Sequence, residues 1–274
     1  MRKAASASCA ILILGACLAW SIPAAAQTVP DFSGVWGAGG FEAPATGRGG
    51  VRMHPDYQER GTRADDNSRQ TPVPHIADLT DPLLQPWART QLEGIVERLI
   101  GGEIIPDARS LCTPMGTPML LIEGGPRLIL QTLDQVTMVY EELPEVRHIH
   151  LNAGFPDPLT PSWYGEAIGH YEGDTLVVTT AGISNKTWVD DFLTPHTEAM
   201  RVTERYRLMP DGNMIEVSFT VEDPETFNEP WGGIAMWERE PPGTDIQEIR
   251  CSEYNYDVFT GATLPMPIAT KLDF

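Results

Sequence analysis

Positive charge is scarce in this chain. Nineteen lysines and arginines face 38 aspartates and glutamates, which gives a formal charge of −19 over 274 residues. A field of that sign repels phosphate backbones and anionic lipid head groups. Glycine-rich phosphate loops are missing, and so is the G-x-S-x-G elbow of acyl-transfer hydrolases. Nucleic acid, membrane surfaces, nucleotides and an acyl-enzyme mechanism are therefore poor candidates, and we expect a small molecule as substrate or ligand.

Long apolar runs are confined to the start of the chain. Arg2 and Lys3 precede an apolar run over residues 10–22, and small residues follow up to Ala26. This layout is that of a secretory signal peptide cleaved after Ala26, so we expect a periplasmic or secreted protein. The rest of the chain would then hold 17 basic and 38 acidic residues. The alternative is a lipoprotein acylated at Cys17, and no later stretch is predicted to span a bilayer.

Cysteine is rare, and two of the four cysteines lie in that leading segment. The remaining two are Cys112 and Cys251. In an oxidising compartment an even pair is most simply one disulfide. We predict the bond Cys112–Cys251, which would contribute about 3–5 kcal/mol in the chain-entropy model. Two buried free thiols are the alternative.

Helical periodicity is scarce too. One helix is predicted over residues 86–100, because Pro86 suits the first helical position and Gly101-Gly102 ends the apolar stripe. Turn signals such as Glu172-Gly173-Asp174 separate short runs of β-type residues. These runs predict strands near 31–37, 127–132, 135–142, 146–151, 163–171, 174–181, 200–209, 213–222, 231–240 and 246–252.

Short strands at hairpin spacing predict a mainly β fold. The expected architecture is an antiparallel barrel with one helix, and the alternative is a β-sandwich. Residues 27–82 show little periodicity beyond the first strand, so we predict an irregular N-terminal wrap there. Residues 83–274 are predicted to form the barrel domain.

Alternation along strands groups several imidazoles. His148 and His150 share one face of their strand, and Glu166 and His170 share one face of the next. A His-x-His pair can present two imidazoles to one metal ion, and His170, Glu166 or His196 would complete a zinc site. Such an ion would polarise a carbonyl or activate water. The alternative is histidines bonded to neighbours or to solvent.

A second group centres on Glu204, which falls on the apolar face of its strand. Burying an unpaired carboxylate is costly, so an arginine partner or a raised pKa is expected. Arg147 alternates with its strand's apolar residues and can pair with Glu204 from inside. The pair is either a structural brace or a proton carrier with its electrostatic partner. Asp190 and His196 form a second candidate pair, with the carboxylate orienting the imidazole.

Five motifs recur together along the chain: D-F-S-G-x-W at 31–36, E-G-D-T-L-V-V at 172–178, K-T-W-x-D at 186–190, P-H-T-E at 195–198 and V-x-E-R-Y at 202–206. Together they resemble a large, mostly uncharacterised family of exported bacterial proteins. The resemblance spans most of the chain and implies a lipocalin-like (calycin-like) β fold without a settled activity. It also implies that Asp190 and His196 are pocket residues. Many relatives have His-Ser where this chain has Glu166-Ala167.

Three functions stay open at this point. The first is an enzyme of lyase, hydratase or isomerase type, using acid–base chemistry on a small organic molecule in a barrel pocket. Glu204, His196 and Glu166 would carry protons, with Arg147 as electrostatic partner. The second is a periplasmic carrier of an apolar or aromatic small molecule, with strand tryptophans lining its cavity. The third is an envelope scaffold with a filled barrel.

Overall fold

The computed structural model describes residues 29–45, 47–57, 75–103, 105, 107–109, 111–122, 125–141 and 145–247. Within them, nine strands close into a barrel, accompanied by one α-helix of several turns, one α-helix of a single turn and a 3-10 helix at Pro55–Tyr57. The expected mainly β barrel with one substantial helix is therefore confirmed, and the sandwich alternative is wrong. The strands are β1 (Gly34–Glu42), β2 (Arg127–Gln131), β3 (Gln135–Tyr140), β4 (Glu145–Leu151), β5 (Glu166–Glu172), β6 (Thr175–Ala181), β7 (Arg201–Leu208), β8 (Met214–Glu222) and β9 (Trp231–Arg239); the helices are α1 (Pro86–Ile100) and α2 (Met119–Ile122).

The strands follow one another around the barrel in chain order, and β1 closes it by pairing with both β2 and β9. All neighbours are antiparallel except β4 and β5, which run parallel with Ile149 opposite Ala167. This pair is the one exception, among the described strands, to the antiparallel arrangement expected from the sequence. A parallel pair needs a connection that returns along the barrel, and residues 152–165 supply it.

Strand β1 is longer than the sequence predicts. It extends to Glu42, well into the stretch expected to be irregular, and is part of the barrel rather than of a wrap around it. Its pairing with β9 shifts register between Ala38 and Gly40, where Gly40 has a φ of +130°. A bulge of this kind interrupts the alternation of side chains. The alternation of inward and outward side chains that identifies a strand is therefore not visible in the sequence of this part of β1.

The two ends of the barrel differ. Short turns at 132–134, 173–174 and 209–213 join strands at one end, called here the turn end. The other end, called here the loop end, carries the connections 43–126, 182–200 and 223–230. Helix α1 is tied to the loop end, since the backbone N–H of Gln85 donates to Thr226 O at 2.8 Å. Its buried face consists of Ala88, Leu92 and Val96.

Several predictions concern residues at the chain ends. Residues 1–26 lie outside the described residues, so the signal peptide and the alternative of a lipoprotein acylated at Cys17 stay predictions. Cys112 is disulfide-bonded, but Cys251 also lies outside, so the pairing itself stays a prediction. Of the strand expected at 246–252, only 246 and 247 are described, and they form no strand. Among the helices described, none has the length and apolarity to cross a membrane.

Candidate functional site

A buried ion pair crosses the barrel interior. Arg147 on β4 donates from Nη1 to Glu204 Oε2 at 2.8 Å and from Nη2 to Glu204 Oε1 at 2.6 Å. The two side chains are 1% and 0% exposed. Tyr206 donates to Glu204 Oε2, and Thr180 donates to Glu204 Oε1 at 3.2 Å. The inward pairing of Arg147 with Glu204 expected from the sequence is confirmed, and we call these four residues the inner network.

The inner network is balanced in charge and closed to further partners on its acidic side. Burial is the largest single influence on Arg147 and disfavours its cation, but Glu204, Tyr206 and Tyr140 together outweigh it and raise the pKa of Arg147. Burial raises the pKa of Tyr206, and the neighbouring Glu204 carboxylate raises it further, so this hydroxyl stays protonated and donates. Both oxygens of Glu204 already accept hydrogen bonds from Arg147, Tyr206 and Thr180. The geometry is therefore that of a brace joining β4, β6 and β7.

Glu145 lies two residues before Arg147 on the same inner face of β4 and is 3% exposed. Its Oε1 accepts a hydrogen bond from the backbone N–H of Met115 at 2.9 Å. Its Oε2 is buried and has no hydrogen-bond partner among the described residues. Burial raises the pKa of Glu145 to about 7, although the Met115 N–H acts to lower it. This carboxyl can thus gain or lose a proton near neutral pH and has one oxygen available for it.

Two tyrosines adjoin this carboxyl, and with it they form what we call the Glu145 cluster. Tyr140 is the direct cross-strand partner of Glu145 on β3, and only 5% of it is exposed. Its hydroxyl donates to Met138 Sδ at 3.5 Å, which is a weak acceptor. Tyr164 is half-buried and leads into β5. Burial raises the pKa of Tyr164, and the Glu145 carboxylate and Tyr140 add to that rise.

Residues 111–122 cover this part of the loop end. Besides the Met115 N–H on Glu145, the carbonyl oxygen of Leu121 accepts from Trp237 Nε1 at 3.0 Å. Gly116 has a φ of +72°, and a Cβ there would approach Trp163 O to 3.0 Å. A larger residue at this position would therefore push the cover away from the barrel. The cover brings a backbone donor to the buried carboxyl and excludes water from it.

The expected pair between Asp190 and His196 is not formed. Asp190 Oδ1 accepts from the backbone N–H groups of Phe192 and Thr194, both at 3.0 Å, and so closes its own loop. His196 Nε2 lies 2.8 Å from Thr187 Oγ1, and its Nδ1 lies 2.8 Å from a carbonyl oxygen of the next residue. Burial lowers the pKa of His196 and raises that of Asp190 to about 6. Both ring nitrogens of His196 are thus engaged by its own loop, whereas Asp190 is engaged through Oδ1 and its buried Oδ2 has no hydrogen-bond partner among the described residues.

The remaining predicted residues point away from the barrel interior. Glu166 and His170 do share a face, but it is the outer one, because Ala167 and Gly169 fill the inner positions of β5. His170 instead lies 3.2 Å from Glu172 at the surface. Glu166 therefore does not join Glu204, which corrects their expected convergence.

His148 and His150 occupy exposed positions on the outside of β4. His148 Nδ1 lies 3.0 Å from Gln135 Nε2, a contact between neighbouring surface side chains. The part of the chain that the structure describes contains no group of three or more His, Cys, Asp or Glu residues able to hold a metal ion. The ligand set expected for zinc is thus not brought together within it.

Sequence reasoning missed Glu145. The alternation that predicts an inward Arg147 also places Glu145 inward, but the predicted strand began one residue too late to include it. A comparison with protein-family models finds no match for the chain, and a comparison with curated proteins finds none either. The fold and the site define a class of β-barrel with a buried arginine–glutamate pair in its interior and a second buried, ionisable carboxyl at its loop end.

Proposed function

We propose that this protein is an enzyme that transfers a proton on a small organic molecule, of the isomerase, lyase or hydratase type, with Glu145 as the proton carrier. One observation carries the proposal: a buried carboxyl with one unpartnered oxygen lies directly across the strand pair from Tyr140 and acts electrostatically on Tyr164. A carboxyl held in an apolar setting has a pKa suited to acid–base work near neutral pH. That setting is built here by the cover over residues 111–122.

The inner network has a supporting role in the proposed function. Because Glu204 is fully engaged by Arg147 and two hydroxyls, it stabilises the barrel wall on which Glu145 stands. We further propose that the enzyme acts outside the cytoplasm, as expected for the family of exported proteins that its motifs resemble. The layout of the first 26 residues and the disulfide-bonded Cys112 support that location.

The carrier hypothesis has less support from the interior. It rested on strand tryptophans lining a cavity, yet the indole N–H groups of Trp36 and Trp237 donate to Phe32 O at 2.8 Å and to Leu121 O at 3.0 Å. Both rings are 1% exposed or less. These tryptophans are therefore part of the packed core.

The test is a comparison of the wild type with Glu145→Gln in D₂O. Mixtures of small organic acids, ketones, alcohols and enols are followed by proton NMR for exchanged or converted signals. We expect turnover by the wild type and a loss on the order of 10²–10⁴-fold in Glu145→Gln, the usual contribution of a positioned acid or base. Glu166→Gln on the outer face is the matched control and should keep full activity. Full turnover of the same compound by Glu145→Gln would refute the proposal.

A further inference from the structure

We infer that the substrate is an uncharged, largely apolar carbonyl compound with a removable proton on the carbon next to the carbonyl, and that Tyr164 and Tyr140 hold the oxygen of the resulting enolate. The inference rests on the proposed function, and it names the substrate class of the same site. It follows from which groups surround Glu145 and from what those groups are able to donate.

The two tyrosine hydroxyls are the hydrogen-bond donors that the site offers to a substrate. Removing a proton beside a carbonyl leaves negative charge on the carbonyl oxygen, so the site needs donors aimed at that oxygen. The Tyr164 hydroxyl makes no hydrogen bond to any described residue. The Tyr140 hydroxyl accepts from Arg147 and donates its own proton to the thioether sulfur of Met138, a weak acceptor. A tyrosine hydroxyl is a donor that an oxyanion accepts readily. The Tyr164 hydroxyl is therefore available for an incoming oxygen, and the Tyr140 proton is held only by a weak acceptor that an oxyanion would displace.

Charged groups and burial determine the protonation of the two tyrosine hydroxyls. Burial keeps the pKa of both tyrosines raised, so each hydroxyl retains its proton at neutral pH. The guanidinium groups of Arg147 and Arg127 act on the Tyr140 hydroxyl in the opposite direction and favour negative charge there, and the Glu204 carboxylate opposes each of them as a smaller cause. The Arg127 guanidinium carbon lies 5.8 Å from the centre of the Tyr140 ring. An oxyanion next to Tyr140 would thus develop in a favourable field.

The proposed reaction is a proton transfer from and back to a carbon of the substrate. The Glu145 carboxylate takes the proton, the electrons of the broken C–H bond form a C=C bond, and the carbonyl π electrons move onto oxygen. Reversal delivers the proton from Glu145 to the same carbon, or to the far carbon of a conjugated system. Atoms and electrons balance without an oxidant, a reductant or a co-reactant. Exchange and double-bond migration are the two outcomes.

The surroundings of the site favour an uncharged, apolar substrate. The side chains of Met115, Met138 and Leu120 are at least nine-tenths buried in this part of the barrel, and they offer apolar contacts. The formal charge of −19 works against anionic molecules approaching the protein. A hydrophobic ketone or enone therefore fits better than a keto acid or a phosphorylated sugar.

The experiment measures deuterium uptake from D₂O into β-tetralone, cyclohexenone and benzylacetone by proton NMR, with the purified protein and its variants. We expect the wild type to accelerate uptake at the carbon next to the carbonyl in at least one probe. Tyr164→Phe should slow it on the order of 10²–10³-fold, as for removal of an oxyanion donor. Tyr171→Phe is the matched control, because this half-buried tyrosine lies at the turn end, and it should leave the rate unchanged.

A binding measurement gives an independent reading. β-Naphthol has the shape of an enol and reports the state of its own hydroxyl by fluorescence, so it should bind the wild type more tightly than Tyr164→Phe. Ketone exchange that needs Glu145 but survives both Tyr164→Phe and Tyr140→Phe would overturn the inference and leave the proposed function intact. Glu145-dependent turnover of non-carbonyl compounds alone would also overturn it. Absence of Glu145-dependent turnover of any compound would overturn both.

Discussion

Removing one partner of the buried ion pair should cost far more stability than removing one partner of a surface pair of similar length. Arg147→Met leaves the Glu204 carboxylate 0% exposed with only two hydroxyl donors. Two charge-assisted hydrogen bonds of about 1.5–3 kcal/mol each are lost, and breaking a buried pair costs about 3–5 kcal/mol. The control is Arg207→Met, because Arg207 lies 2.9 Å from Glu216 with side chains 49% and 29% exposed. Its loss should cost about 0–1 kcal/mol.

The assay is urea unfolding at pH 7, with free energies from linear extrapolation. The double variant Arg147→Met/Glu204→Leu replaces both charges by apolar groups, so it should recover much of the loss, with a coupling energy of about 2 kcal/mol or more. A coupling energy below about 0.5 kcal/mol, the level of independent sites, would show that the pair does not brace the barrel. Equal losses for Arg147→Met and Arg207→Met would lead to the same conclusion.

Three further predictions concern pH and backbone conformation. The pKa of Glu145 rises from 4.5 to about 7 on folding, so the folded state loses about 3 kcal/mol as pH rises through that window, and Glu145→Gln should flatten the profile in urea unfolding. Burial lowers the pKa of His196, so the folded state should lose stability as the pH drops below 6.5. The melting temperature of the wild type should therefore fall over this range, and His196→Gln should remove the contribution of His196 to that fall. Gly165 has a φ of +65°, and a Cβ there would approach Ala181 O to 2.5 Å. Gly165→Ala should therefore lower the free energy of unfolding more than Gly212→Ala, whose φ is +72° but whose Cβ meets nothing within 4 Å and whose cost should stay at about 1–2 kcal/mol.

The part of the site that could be predicted is the part that depends on alternation within a strand. Glu204 and Arg147 each sit among apolar residues at a period of two, and a buried carboxylate requires a partner. The pairing followed from those two facts without knowledge of which strands are neighbours. The mainly β fold followed in the same way from many short strands and a single long helix, a pattern that fits a barrel and a sandwich alike.

Alternation alone does not say which face of a strand is the inner one. For β5 the inner face consists of Ala167 and Gly169, because small residues fit where Leu176 and Ile149 crowd the interior. The titratable residues of that strand consequently lie outside. Loop residues such as His196 are governed by local hydrogen bonds that leave no periodic signal, so their partners could not be read from the sequence.

The inner network also explains why Glu145 has its properties. Glu145 and Arg147 point to the same side of β4, about 7 Å apart, and a free guanidinium at that distance would favour the carboxylate and lower its pKa. Burial and the Met115 N–H are instead the causes acting on Glu145, and no charged neighbour among the described residues joins them. The Glu204 carboxylate, 2.6 Å from Arg147 Nη2, offsets the charge of Arg147 as it acts on Glu145. In the proposed proton transfer Glu204 would therefore act indirectly: by offsetting the charge of Arg147 it leaves burial as the main cause of the raised pKa of Glu145.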